Sequence, residues 1–177
     1  MDIAQGNEEL VGSVLGERVY RELIEPLVGG GVLILSMRGA RLATSSFFKA
    51  TWLTLKTETV GVPVMLSDAT DEILEEFDVF LGRYRMPGLE ALDWGDNEVM
   101  LARLHGQVEA PSLNALLALI EMPGATAPEL HKVSEEGVST TAWTNRLNEL
   151  YRNGLATREK SGRAWRFFPA ARRVLHG

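Results

Sequence analysis

Thr126-Ala127-Pro128-Glu129-Leu130, followed by Ser139-Thr140-Thr141-Ala142-Trp143-Thr144-Asn145-Arg146-Leu147-Asn148-Glu149-Leu150, is the stretch from which the chain is best read. Thr126 is a good N-cap residue and Pro128 suits the first turn behind it. A helix is therefore expected over Ala127 to Glu136, with Leu130 and Val133 inward. Gly137 supplies a sharp turn, and Ser139 caps a further helix that runs through Asn153. Trp143, Leu147, Leu150 and Tyr151 form its apolar side, and Gly154 is its stop. Downstream, Ala156 to Arg158 and Ala164 to Phe168 read as two strands around a tight turn at Ser161-Gly162. Upstream, Ser112 caps a helix carrying Leu113, Leu116, Leu117 and Ile120, which Pro123-Gly124 ends. The order is helix, helix, turn, helix, hairpin.

Charge is distributed unevenly around this stretch. The chain has 177 residues, 18 Lys plus Arg and 24 Asp plus Glu, for a net charge of −6. Residues 1–111 carry nine basic and eighteen acidic residues, whereas residues 112–177 carry nine basic and six acidic. Within 139–177 eight basic residues face only Glu149 and Glu159, a net of +6. A polyanion senses such a local basic face more than the chain total. With Trp143, Leu147 and Leu150 inward, Ser139, Thr140, Thr141, Thr144, Asn145 and Asn148 are left outward. Short polar side chains of this kind hydrogen-bond base edges or phosphates. Lys160 and Arg163 sit at the hairpin tip, with Arg158 and Arg166 on its strands, suited to the phosphate backbone or the minor groove.

Residues 112–170 resemble the winged helix-turn-helix DNA-binding domains of bacterial transcriptional regulators. The resemblance rests on 126–130, 139–150, Asn153-Gly154-Leu155 and the wing Ser161-Gly162-Arg163. Trp143 departs from the smaller aliphatic residue usual at its position. The resemblance implies double-stranded DNA as partner. The DNA-binding set would be Ser139, Thr140, Thr141, Thr144, Asn145, Asn148, Arg158, Lys160, Arg163 and Arg166. One such module reads only a few base pairs, so a homodimer on two half-sites is expected. The competing reading is a non-enzymatic adaptor whose winged helix touches protein.

Residues 10–108 read as α-β-α-β-α-β, which implies a small α/β layer architecture. A helix is expected from Leu10 to Leu27, with Val11, Val14, Leu15, Val19, Leu23 and Leu27 on one side, ended by Pro26 and Gly29-Gly30-Gly31. Val32 to Leu35 and Val62 to Leu66 read as buried strands, and Glu98 to Leu104 as the last one. Ser67 or Asp68 is expected to cap a helix from Ala69 to Tyr84, which Pro87-Gly88 breaks. Thr44, Ser45 and Ser46 read as an N-cap before Phe47 and Phe48. Leu33 to Phe48 also resembles the strand-loop-helix of STAS-type anti-sigma factor antagonists and their STAS-like relatives. There an Asp-Ser-Ser-Gly opens the helix and its first serine is phosphorylated. Here Thr44 replaces the aspartate, Phe47 replaces the glycine, and Ser45 falls on the phosphoserine position. The resemblance implies a regulatory protein kinase or ATPase as partner.

Glu109-Ala110-Pro111 is the expected junction between a STAS-like α/β domain, 1–111, and a mainly α winged helix-turn-helix domain, 112–177. The chain has no cysteine, which removes disulfides, thiol catalysis and Cys-based metal sites. His105, His131 and His176 lack the spacing of a metal motif. Asp68, Asp71, Glu72, Glu75, Glu76 and Asp78 read as a solvated acidic face. There is no nucleophile elbow, Walker motif or dinucleotide fingerprint, so no enzyme activity, metal or cofactor is expected. The acidic, polar N-terminus MDIAQGNEEL does not read as a signal peptide, and no apolar run approaches the roughly 20 residues a membrane helix needs. The expected location is the cytoplasm.

Overall fold

The computed structural model describes residues 4, 8–24, 31–95, 98–134 and 137–176. In chain order the elements are β1 (Glu9–Leu10), α1 (Ser13–Ile24), β2 (Leu33–Ser36), β3 (Leu42–Ala43) and α2 (Ser45–Phe48). A π-helical segment, Lys49–Leu53, leads directly into α3 (Thr54–Glu58). Then come β4 (Val64–Ser67), α4 (Asp71–Tyr84), β5 (Pro87–Gly95), β6 (Glu98–Gly106), α5 (Ala110–Glu121), α6 (Ala127–Val133) and α7 (Thr140–Arg152). The hairpin β7 (Ala156–Ser161) and β8 (Ala164–Pro169) follows, and β9 (Val174–Leu175) is last. The protein is mixed α/β.

A five-stranded mixed sheet in the order β2-β4-β5-β6-β9 organises the molecule. β2, β4 and β5 run parallel, β5 and β6 pair antiparallel, and β9 adds parallel to β6. Successive side chains of a strand point to opposite faces, and the core divides accordingly. Leu33, Leu35, Val64 and Leu66 pack with Phe47, Phe48, Trp52, Phe77 and Phe80. Ile34, Met65, Leu89 and Ala91 instead pack with Leu116, Leu130, Trp143 and Leu147. Helices therefore cover both faces, and β4 is buried along its whole length.

The expected boundary at 111 falls in the first turn of α5, and residues 174–175 return to the sheet. Lys56 on α3 donates to the carbonyl of Asn153, the C-cap of α7, where a cation complements the helix dipole. Burial pushes its pKa down to about 8. The Tyr151 hydroxyl donates to the Val60 carbonyl at 3.3 Å. The ring lies on Gly61, where any side chain would overlap it.

Several expectations need correction. α4 ends at Tyr84 as expected, but residues 87–95, where no strand is expected, form β5, a strand inside the sheet. Proline is tolerated as the first residue of a strand, and the acidic Glu90 is paired by Arg103 and His105. α1 is shorter than expected. Leu10 belongs to β1, Val14 is 83% exposed, Val11 is also exposed, and Gly16, Val19 and Leu23 make the buried side. Pro26, Leu27, Gly29 and Gly30 lie outside the described residues. α4 begins later, because Asp68 takes a left-handed backbone (φ 53°) and Thr70 provides the cap, accepting from Ile73 N–H.

The buried stripe of α5 is Ser112, Ala115, Leu116 and Leu119, one position round from the expected Leu113, Leu116, Leu117 and Ile120. Both stripes have helical spacing and both are largely apolar, so periodicity alone does not choose between them. The cap of α5 is Glu109 rather than Ser112. α6 stops at Val133, with Ser134 as its C-cap. The expected helix end at Glu136 lies outside the described residues.

Candidate nucleic-acid interface

α7 is built as its sequence suggests. The Ser139 hydroxyl accepts the Ala142 N–H at 3.2 Å, and Trp143, Leu147 and Leu150 are buried. Thr141, Thr144 and Asn145 are exposed on the other side, as is Ser139, while Thr140 and Asn148 are half-buried. The Thr144 hydroxyl donates to the Thr140 carbonyl at 3.0 Å and keeps its oxygen as an acceptor. α6 opens with a reciprocal cap. The Glu129 carboxylate accepts from Thr126 N–H and Oγ1 at 2.8 and 2.9 Å, and Thr126 Oγ1 accepts from Glu129 N–H at 3.4 Å. The bond from the Thr126 backbone holds the Glu129 carboxyl below its ordinary pKa.

The hairpin closes through Gly162-Arg163, with Ser161 paired to Ala164. Gly162 has φ +61°, as the first central residue of a two-residue II′ loop requires. Its four candidate cations divide into two pairs. Arg158 Nη1 donates to Asn148 Oδ1 at 2.8 Å, and its guanidinium carbon lies 4.1 Å from the Tyr151 ring centroid and 4.3 Å from that of Trp165. Arg166 Nη1 donates to the Gly124 carbonyl at 2.7 Å and lies 3.6 Å from the Glu129 carboxylate. These two arginines fasten the hairpin to α7 and to the start of α6. Lys160 and Arg163 are exposed and make no hydrogen bond or ion pair with any described residue.

No family model, curated protein or solved structure matches this chain.

The Arg158–Asn148 bond thus brings one side of the hairpin against α7, and the surface formed there leaves out Arg166, which turns to Gly124 and Glu129 instead. Trp165, paired across the hairpin with Lys160 and partly exposed, belongs to that surface although it is outside the set expected from sequence. Its signal is the alternation Trp165, Phe167 along β8, which puts both on the side facing α7. Arg146, whose guanidinium carbon lies 5.4 Å from the Trp143 ring centroid, is likewise outside the expected set.

Ser45 stands apart from this surface. It is the half-buried first residue of α2. Thr44 is the N-cap, accepting Phe47 N–H at 3.4 Å and Gly12 N–H at 3.3 Å. Ser46, not Ser45, is the exposed serine, with its hydroxyl 3.0 Å from that of Thr44. Among the described residues no group of three acidic or histidine side chains is placed to hold a metal ion, and no helix is long and apolar enough to cross a membrane.

Proposed function

We propose that the protein is a cytoplasmic DNA-binding transcriptional regulator. In this reading residues 112–177 act as a winged helix-turn-helix, and residues 1–111 act as a STAS-like receiver that brings two copies together on two half-sites. The carrying observation is the junction of hairpin and helix: Arg158 bonds Asn148 on α7, and Lys160 and Arg163 are exposed further along the same hairpin. Duplex DNA calls for such a surface, with a helix of short hydrogen-bonding side chains for the major groove and cations for flanking phosphates. Arg158 and Arg166 then act as positioning residues rather than phosphate contacts. A kinase or ATPase acting at Ser45 belongs to the same proposal and rests on the STAS-like resemblance alone.

One observation favours the adaptor reading. With Arg158 and Arg166 engaged within the fold, the free positive charge of the hairpin falls to Lys160 and Arg163. Asn145 separates the two readings. It is exposed one turn into α7 and makes no hydrogen bond to any described residue. Asparagine pairs bidentately with adenine, and a good pair is worth about 1–3 kcal/mol of discrimination. Asn145→Ala is expected to abolish preference at one position of the selected site while keeping non-specific affinity. Binding to a panel of single-position site variants measures this. Uniform loss across the panel would make Asn145 a phosphate contact, and no change at all would favour the adaptor.

A further inference from the structure

His105 on β6 has carboxylates against both ring nitrogens. Nδ1 lies 3.2 and 3.3 Å from the two carboxylate oxygens of Asp78 on α4, and Nε2 lies 3.2 Å from Glu90 Oε2 on β5. The same Glu90 oxygen accepts from Arg103 Nη1 at 3.1 Å, and Asp78 also accepts Gly106 N–H at 3.3 Å. The His105 and Glu90 side chains are each 8% exposed, whereas that of Asp78 is 52% exposed. His176, just after β9, lines the same shallow cavity as Asp78, Arg103 and His105. Asp78, Glu90, Arg103 and His176 are thus the titratable and charged groups that the described α4, β5, β6 and the end of the chain bring to the ring.

A neutral imidazole has one N–H and one lone pair, so it donates to one carboxylate and turns a lone pair on the other. An imidazolium donates to both. Only with the imidazolium do the charges of Asp78, Glu90, Arg103 and His105 cancel, and a buried carboxylate such as Glu90 needs that pairing. Burial by itself lowers the histidine pKa. The hydrogen bonds and charges of Glu90 and Asp78 outweigh it and hold His105 above the ordinary value.

We propose that Asp78, His105, Glu90 and Arg103 form a proton-operated clasp between α4 and the β5–β6 pair, closed while His105 is an imidazolium and opened at its Asp78 arm when the ring deprotonates. Asp78 is the arm that lets go because it already reaches water, whereas Glu90 is buried on an interior strand and keeps Arg103. The proton therefore leaves Nδ1, and Nε2–H stays on Glu90. What the clasp controls is the hold of α4 on the sheet. Because the folded-state pKa is raised, its stabilisation is complete below the unfolded value of about 6.5 and is lost as pH rises through the folded one. The clasp is independent of whether the chain binds DNA.

The test is a pH titration of the full chain, labelled with nitrogen-15 in its histidines and followed by NMR, for the wild type and Asp78→Asn. The expected wild-type midpoint for His105 lies above about 6.5, with the Nε2–H tautomer above it. In Asp78→Asn the midpoint falls. The urea midpoint of the wild type drops as pH rises through the titration, and drops less in the variant. A His105 that is neutral below pH of about 6.5, an Nδ1–H tautomer, or an unmoved midpoint in Asp78→Asn overturns the clasp.

Discussion

Trp143→Ala is expected to destabilise the protein by about 3–5 kcal/mol, the range for truncating a fully buried tryptophan. Trp143 is 2% exposed and belongs to the core between the sheet and α5, α6, α7 and the hairpin, with Leu116, Leu130, Leu147, Leu150 and Phe167. Its loss leaves a cavity in the layer that carries α7, and the surrounding helices relax only in part. Trp143→Phe should cost much less. It keeps most of the ring volume and removes an indole N–H that is buried with no partner among the described residues, a group whose burial is itself unfavourable by about 1–3 kcal/mol. Urea denaturation checks both, with a lower midpoint and an unchanged slope as the signature of reduced stability. A Trp143→Ala midpoint equal to the wild type would mean that this core contributes little.

The second large effect is on binding. If Lys160 and Arg163 contact the phosphate backbone as proposed, affinity for duplex DNA in the double variant Lys160→Ala, Arg163→Ala should fall by similar factors on every sequence, because a phosphate contact reads no base. Removing one cation from its phosphate flattens the plot of log affinity against log salt by about 0.9 on B-DNA, so the pair should flatten it by about 1.8. Stability should be unchanged, since both residues are exposed and make no bond to a described residue. Arg158→Ala should behave differently. It removes the bond to Asn148 and the packing against Tyr151 and Trp165, so it should lower stability and specificity together. An unchanged salt slope in the double variant would take the hairpin tip out of the interface.

What the sequence makes legible is local chemistry. Thr44, Thr126 and Ser139 cap their helices because an N-cap is decided within three residues. The turn at Gly162 and the inward face of α7 are legible for the same reason. What requires the third dimension is hidden. β5 carries Glu90 and Asp93 and starts at Pro87-Gly88, and only Arg103 and His105 on the neighbouring strand make a buried glutamate acceptable there. α5 is apolar nearly all round, so its buried face is chosen by what packs on it. β9 is two residues at a sheet edge, too short to leave a pattern. Within the candidate interface, residue type identifies Arg158 and Arg166 as cations, but only their neighbours show that both are engaged inside the fold. The acidic run reads as a solvated face and is largely exposed, but its bonds do not show in the sequence: Asp78, still half exposed, meets His105, and Asp68 accepts from Ser36 at 2.7 Å. That Ser36 bond is the main reason the Asp68 carboxyl is held below its ordinary pKa.

The most direct measurement is equilibrium binding of the full chain to duplex DNA across a salt series, with a pool of random duplexes beside a duplex selected by the protein itself. If α7 and the hairpin form a DNA-reading surface, the expected result is binding to both that weakens steeply as salt rises, with the selected duplex held more tightly by the factors typical of specific complexes, about 10³ or more. Absence of binding above background at about 50 mM salt, where even non-specific contacts are strong, would contradict DNA recognition and leave the surface to a protein partner.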